Sequence, residues 1–271
     1  GRHPMAAKCR LDRLLVSRGY FPTRERARAA ILAGEVMVDG TPVSKPGTAV
    51  RVDCQLEIKG DPVPYVSRGG LKLERALDVF GIEVSGRHAL DAGASTGGFT
   101  DCLLKRGAAR VLAVDVGYGQ LAWSLRNDPR VVVMERTNLR HLTVDELPFR
   151  PDLVTLDLSF ISLSKVLSTV ARLMLPGELL ALVKPQFEVG PEKVGRRGVV
   201  RDAAVHEEAV LKVIASAREL GFELAGLDFS PIKGPKGNIE FWAYFSWMRP
   251  ARRVGTREAR EVVRRAWEVL G

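Results

Sequence analysis

Two lysines and two acids stand where apolar runs begin or stop. Lys184 follows the run 179–183 in LALVKPQFE, and Asp157 follows 153–156 in VTLDLSF. Lys72 opens a helical pattern in SRGGLKLE, and Glu240 opens a strand-like run in GPKGNIEF. A charge placed straight after a buried strand is costly to desolvate alone. The economical arrangement gathers the four above the edge of a sheet, where opposite charges offset one another. Each residue taken singly fits a structural salt bridge; four at once point to a site. The chemistry such a set supports is removal of a proton from a weakly acidic hydroxyl, where a positioned base is worth ~10²–10⁴ in rate. Lys184 is the candidate base, with Asp157 and Glu240 in orienting roles. Burial and the like charge of Lys72 push the Lys184 ammonium toward neutrality, and Asp157 opposes them. The sequence leaves that competition open.

A second constellation is the segment LDAGASTGGFTD, residues 90–101. An apolar strand ends at Asp91, and Gly93, Gly97 and Gly98 permit a tight turn and close approach of a ligand to backbone. Thr96 is placed to cap the helix that follows. The pattern is not the G-x-G-x-x-G of dinucleotide binding. Asp115, about 20 residues on in VLAVDVGYG, stands where an acid reads ribose hydroxyls. Asp91 at the loop entrance suits an ammonium and would repel a pyrophosphate. The two acids together favour a nucleoside with a cationic amino-acid end, S-adenosylmethionine, over NAD. The expected reaction is therefore methyl transfer by in-line displacement onto an oxygen, in which positioning can supply ~7–11 kcal/mol.

The elements that must hold these residues are legible as alternation. Strand-like segments at 88–92, 110–115, 131–135, 152–157, 178–183, 222–229 and 240–247 are separated by helical ones near 97, 120–126, 163–175 and 203–220. Such alternation over ~180 residues argues an α/β, doubly wound, mostly parallel Rossmann-like sheet with helices on both faces. Ahead of it, residues 8–59 read as a small α+β unit. A helix over 10–20 carries Leu11, Leu14, Leu15 and Tyr20, and a second follows the N-cap candidate Thr23 and stops at Gly34. Asp39-Gly40 then marks a type I′ hairpin turn. The expected divisions are a first domain at 8–59, a stiff extended linker at 60–67 carrying Pro62 and Pro64, a catalytic domain at 68–248, and a basic helix at 249–271. That last helix puts Ala259, Val262, Val263, Ala266, Val269 and Leu270 on one face, which predicts docking on the core. Residues 1–4, ahead of Met5, read as an appended leader outside the fold.

Charge is uneven along the 271 residues. Residues 1–60 hold 11 Lys/Arg against 6 Asp/Glu, 61–247 hold 23 of each, and 248–271 hold 7 against 3. Basic ends on a neutral body are the footprint of a polyanion binder, although solubility alone is also served by such charge. Cys9, Cys54 and Cys102 match neither a disulfide framework nor a zinc site, and His3, His88, His141 and His206 are scattered. No metal is expected. No run approaches the ~18–20 apolar residues of a membrane span, and no secretory signal is present. A reducing cytoplasm is the expected compartment.

The motifs RLDRLLVSRG, YVSRGGLKLE, DAGASTGGFTD, LDLSF, VKPQFE and KGNIEF, in this order, resemble the TlyA (hemolysin A-like) family of ribosomal RNA 2′-O-methyltransferases. The catalytic part is similar to FtsJ/RrmJ-type methyltransferases, and the module at 8–59 resembles the alpha-L RNA-binding domain of small-subunit ribosomal protein S-four. The resemblance covers residues 8–247. It implies that Lys72, Asp157, Lys184 and Glu240 form a K-D-K-E tetrad for methylation of a cytidine ribose in ribosomal RNA. It implies that Asp91, Gly93, Ser95, Thr96, Gly97, Gly98 and Asp115 surround S-adenosylmethionine, with Asn138 near the adenine. It implies that Arg10, Arg13, Arg18, Arg24, Arg26 and Arg28 hold rRNA phosphates, making ribosomal RNA or a ribosomal subunit the partner. Three other readings compete. A pseudouridine synthase with the same first module needs no methyl donor, so the Gly-rich loop argues against it. A non-catalytic assembly factor needs no tetrad. A pore former needs an insertion segment, and none is visible.

Overall fold

The computed structural model describes residues 7–60 and 63–271. The leader at 1–4, Met5, Ala6 and two linker residues, Asp61 and Pro62, lie outside the described residues.

The first unit is two helices on short strands. β1 (Lys8–Arg10) leads into α1 (Leu11–Ser17) and α2 (Arg24–Leu32), followed by β2 (Val36–Val38), β3 (Thr41–Pro42), β4 (Ala49–Arg51) and β5 (Leu56–Ile58). β1 pairs antiparallel with β4, and β3-β2-β5 form a second antiparallel sheet. The Thr23 side chain accepts the Arg26 amide at 3.3 Å, the cap its position predicts. Asp39 and Gly40 both take positive φ, 48° and 80°, as a type I′ turn requires. The first helix stops at Ser17 rather than continuing to residue 20, because Gly19 turns left-handed (φ 78°). Tyr20 then folds back onto the core of Leu11, Leu15, Ala27, Ile31 and Leu56.

The larger unit contains α3 (Gly69–Phe80), β6 (His88–Ala92), α4 (Gly98–Lys105), β7 (Arg110–Val114), α5 (Trp123–Arg126), β8 (Val131–Met134) and β9 (Leu153–Leu156). These are followed by α6 (Leu167–Leu173), β10 (Gly177–Val183), α7 (Pro185–Glu188), α8 (Ala203–Glu219), β11 (Glu223–Phe229), β12 (Phe241–Trp247) and α9 (Arg257–Leu270). The seven strands lie in the order β11-β12-β10-β9-β6-β7-β8. All run parallel except β12, which is antiparallel to both neighbours. The chain proceeds outward from β6 to β8, then returns to place β9 on the other side of β6. That reversal places the topological switch point of the sheet between β6 and β9.

Alternation along the strands serves both faces. Leu90, Leu112, Val154 and Leu179 point to a core shared with α6, α8 and α9, while Ala89, Val111, Leu153 and Leu180 point to one shared with α3 and α4. Ala259, Val262, Val263 and Ala266 of α9 are buried as predicted, and Val269, in the last turn, is left exposed. The helix expected over 163–175 divides into a 3₁₀ turn at Leu163–Lys165 and α6, because the buried Glu188 carboxylate takes the Leu163 amide at 2.9 Å and the Ser162 hydroxyl at 2.6 Å. Among the described residues, no helix is long and apolar enough to cross a membrane.

The described part of the linker is fastened down. Val66 donates its amide to Asp101 at 2.9 Å, Lys105 reaches the Pro64 carbonyl, and Tyr65 joins the core against α3 and α4. The two units also touch at α5, where Trp123 donates its amide to the Asp53 carbonyl (3.2 Å) and its ring lies 5.3 Å from the Arg51 guanidinium. Gly98 sits where α4 meets this strap, and a Cβ there would collide with the Ser67 hydroxyl and stand 2.8 Å from the Gly70 nitrogen. Gly98→Ala should therefore cost about 1–3 kcal/mol of stability, the range typical of overpacking. Urea denaturation monitored by fluorescence would reveal the loss, and an unchanged midpoint would contradict this reading of the packing.

Candidate active site

Lys184 and Asp157 each occupy the residue just beyond a strand, and β10 and β9 are neighbours, with Ala181 opposite Leu156. The side chains are thereby thrown onto the same end of the sheet. Lys184 is 7% exposed, and its Nζ lies 2.5 Å from Asp157 Oδ1 and 3.1 Å from the Ser159 hydroxyl. Glu240 precedes β12, which pairs with β10 through Phe241 and Val183. It is fully buried, and Lys72, from the first turns of α3, donates to its Oε1 at 2.7 Å. The four residues singled out where apolar runs begin or stop thus assemble as two ion pairs, from α3 and the ends of β9, β10 and β12. The second carboxylate oxygen of Glu240, Oε2, is buried without a partner among the described residues.

The competition over Lys184 now has an outcome. Burial pushes its ammonium toward neutrality, but the Asp157 and Glu240 charges outweigh burial and hold its pKa above the ordinary lysine value. Burial also disfavours the ionised Asp157, yet Lys184 and then Lys72 hold its carboxyl below the usual range. The resting site is a pair of charges, not a neutral amine beside a neutral acid.

Beside this pair lies the crevice lined by Ala94, Ser95, Asp115, Gly117, Tyr118, Gln120, Leu121 and Glu135. Asp115 ties its two walls together, accepting the Ser95 amide at 2.6 Å and the Gly117 amide at 2.7 Å. Ser95 is exposed and left-handed, with φ 51°. The glycines have a different immediate cause from ligand approach. Gly93, at φ 82°, has no room for a Cβ because the Asp157 carbonyl oxygen stands there; at Gly97 the obstacle is Leu121 and Leu125. The Gly-rich turn is required by the protein packing on itself, and it binds the loop to the strand end that carries Asp157.

Three expectations are corrected here. Thr96 does not cap α4: the cap position is Gly97 with no side-chain bond, and the buried Thr96 instead accepts the Ala122 amide on its carbonyl at 2.9 Å. Asn138 is exposed and does not line the crevice, because its side chain accepts the Arg140 amide at 3.0 Å to start a 3₁₀ turn. Asp91 is closed to direct contact: it is fully buried, and its oxygens take the Thr100 hydroxyl at 2.8 Å and the Thr155 hydroxyl at 3.3 Å. Burial, assisted by Asp157 and Asp115, pushes its carboxyl up to about 7.

Sequence reading missed Tyr118, Gln120 and Glu135. Glu135 follows β8 as Asp115 follows β7, so an acid after each successive strand was the available signal. It accepts the Gly119 amide and pairs with Arg126. Phe160 was also missed. It is 90% exposed, left-handed at φ 62°, and its ring lies 5.0 Å from that of Phe187, on the loop that carries Asp157 and Ser159.

The six arginines of the first unit divide by burial. Arg18 is 4% exposed and donates to the Val52 carbonyl at 2.6 Å, so it does not offer a charge to a surface ligand, contrary to expectation. Arg10 and Arg24 flank the buried Asp12, at 3.0 and 3.4 Å. The Arg10 bond, assisted by the Arg13 amide and Arg24, holds the Asp12 carboxyl down at about 2. Arg13, Arg26 and Arg28 are exposed on α1 and α2. Cys9, Cys54 and Cys102 are free thiols.

A doubly wound sheet with a charged tetrad and a Gly-rich crevice at its carboxyl edge defines a Rossmann-like methyltransferase carrying a small appended module. Comparison with known proteins makes this particular. A model of FtsJ-like methyltransferases matches residues 65–247, and an S4-domain model matches 9–54. The chain is 53% identical over 247 residues to the 16S/23S rRNA (cytidine-2′-O)-methyltransferase TlyA of Mycobacterium tuberculosis, covering 90% of this chain and 91% of that one. It is 41% identical over 241 residues to Hemolysin A of Brachyspira hyodysenteriae, covering 87% and 99%. A solved structure of a candidate hemolysin from Streptococcus thermophilus superposes with a TM-score of 0.85 at 44% identity, covering 97% and 96%. The chain belongs to the FtsJ-like methyltransferase family and is an enzyme of the TlyA/hemolysin A group.

The state of Asp91 carries a pH signature. Its folded pKa is raised above the unfolded value, so the folded form holds an extra proton between roughly pH 4 and 7, and stability from this group declines as pH rises through that window. With Asp91→Asn the stability difference from the parent should move in the variant's favour as pH rises from about 4 to 7 and level off above that. Thermal melts across that range check this, and a constant difference between the two proteins would refute it.

Proposed function

We propose that this chain transfers a methyl group from S-adenosylmethionine to the 2′-hydroxyl of a cytidine ribose in ribosomal RNA. The observation that carries the reading is the assembly of the Lys184–Asp157 and Lys72–Glu240 ion pairs at the carboxyl edge of β9 and β10. The names of the TlyA relatives, which specify cytidine-2′-O-methylation of rRNA, support the substrate. The S4 match supports an RNA-directed first domain, expected at 8–59. A ribosomal substrate supports a cytoplasmic site of action.

The crevice residues fit the cofactor. Asp91, Asp115, Glu135 and Asp157 follow or end four adjacent strands; Glu135 is paired with Arg126 and Asp157 with Lys184, which leaves Asp115 as the carboxylate with no cation partner among the described residues. Leu121, Val133 and the Tyr118 ring supply apolar surface for a purine. Asp115 keeps free lone pairs for ribose hydroxyls beyond the two amides it accepts. Asp91, sealed behind two threonines, acts through its field rather than by contact. When bound, S-adenosylmethionine supplies an electrophilic methyl carbon.

The protein supplies orientation and a proton acceptor. Lys184 Nζ takes the hydroxyl proton, held in place by Asp157 and Ser159. Lys72 is locked onto Glu240 and keeps a second positive charge beside the nucleophilic oxygen. Because the acids favour the Lys184 ammonium, that proton must leave before Lys184 can act, and the rate follows the fraction of neutral amine. Phe160 offers an aromatic face on which an unstacked base can lie, and Arg13, Arg26 and Arg28 offer charge to phosphates.

Tritiated-methyl transfer to ribosomal subunits lacking the modification tests this. The parent should label ribose, and Lys184→Ala should lose ~10²–10⁴-fold in kcat with cofactor affinity retained. A parent that binds cofactor yet labels neither subunits nor free rRNA would overturn the reading. The pH profile supplies a second test. Since the folded pKa of Lys184 is raised, log kcat should climb with a slope near one from about pH 7 to 9 without levelling. Asp157→Asn removes the charge responsible, so its profile should level off at lower pH; parallel profiles would exclude Lys184 as the base.

A further inference from the structure

The middle of the chain is neutral in total, but its charge is not evenly spread over the surface. Two loops flank the tetrad on the side away from the crevice: residues 190–202, between α7 and α8, and residues 230–240, between β11 and β12. Arg196, Arg197, Arg201, Lys233 and Lys236 are all exposed there, and none forms an ion pair among the described residues. Their neighbour Lys193 is different, being held by Glu208 at 2.7 Å.

These loops are rigidly joined. Asn238, 2% exposed, accepts the Val200 amide at 3.0 Å and donates to the Gly198 carbonyl at 2.8 Å, so one buried side chain clamps both. Within each loop the turn is closed by backbone bonds, Gly195 to Val199 at 2.9 Å and Gly234 to Asn238 at 2.8 Å. Arg197 and Lys236 are each held left-handed, at φ 66° and 63°, a conformation that non-glycine residues seldom adopt. The Lys236 ammonium lies against Gly198. Like charges without counter-ions repel, and strained backbone persists only where the surroundings enforce it. A fold that joins two loops carrying five exposed cations, unpaired among the described residues, is arranged to meet negative charge.

The location says whose charge. The 230–240 loop is seated on the catalytic residue itself, since Gly234 leaves no space for a Cβ against Glu240 Oε2. The 190–202 loop follows Lys184 by way of α7. By strand order, the tetrad from β9, β10 and β12 lies between these loops and the crevice of β6, β7 and β8. A ribose at the tetrad therefore has the cofactor crevice on one side and the cations on the other, where its own flanking phosphates must run. We propose that the two loops, clamped by Asn238, form a phosphate-binding platform for the RNA strand on either side of the target nucleotide, distinct from the basic surface of α1 and α2. The proposal rests on the ribose reading above.

The test is a full-length variant, Arg196→Gln, Arg197→Asn, Lys233→Gln and Lys236→Asn, in which asparagine suits the two left-handed positions. Dissociation constants for 16S and 23S rRNA are measured from about 50 to 300 mM KCl, beside methyl transfer and cofactor binding. Removing one cation that neutralises a phosphate lowers the salt slope by about 0.7–0.9. The expected result is a slope reduced by about two or more and an rRNA KM raised by roughly ten-fold or beyond. The defect should fall on KM more than kcat, with cofactor affinity unchanged. A variant with the parent's slope and KM overturns the platform, as does one whose only defect is in cofactor binding. If the parent itself labels no rRNA, the ribose reading fails, and the salt slope alone still decides whether these loops hold phosphate.

Discussion

The fold is organised around the burial of opposite charges at the carboxyl edge of a parallel sheet. Lys184 is too deeply placed to be stable without a counter-charge, and Asp157, itself partly buried, supplies it. Their meeting requires β9 and β10 to be neighbours in one register, which in turn requires the crossover through α6 to lie on the correct face. Glu240 adds the requirement that β12 insert antiparallel against β10. The exceptional strand of the sheet is thus the one that delivers the fourth charge. An all-parallel order would put residue 240 at the opposite end of the sheet from Lys184.

Close backbone packing transmits this arrangement to the crevice. Gly93 touches the Asp157 carbonyl, so the Gly-rich loop and the strand end that carries Asp157 share one contact. Asp115 then bonds that loop to the next, and Glu135 bonds to the Gly119 amide. Positioning is the larger part of what such a site contributes, and it degrades with displacements of about 1 Å. A series of short contacts from Asp157 to Asp115 is a physical means of holding donor and acceptor in one frame.

Electrostatics divide the molecule by function. The crevice carries the carboxylates of Asp115 and Glu135, while exposed cations lie on α1, α2 and the loops beyond the tetrad. Two buried carboxylates elsewhere are paired for structure: Asp12 between Arg10 and Arg24, and Asp228 with Arg75 at 3.1 Å. Salt screens exposed charges far more than buried ones, so ionic strength acts on association with a polyanion before it acts on the folded state.

The sequence by itself determined the strand–helix alternation, the α+β first unit, the Thr23 cap, the Asp39-Gly40 turn and the four strand-end residues. All of these depend on local pattern, where periodicity and turn chemistry act over a few residues. It did not determine contacts between segments distant in the chain. Thr96 has the right type for a cap and caps nothing, because Gly97 takes that position. Asp91 has the right place for a ligand contact and is sealed by Thr155, 64 residues away. Arg18 looks like its exposed neighbours and is turned inward. The protonation of Lys184 and the joining of two loops through Asn238 were likewise settled only in three dimensions. A pKa and a surface potential are sums over everything nearby in space, and the tertiary structure alone decides what is nearby.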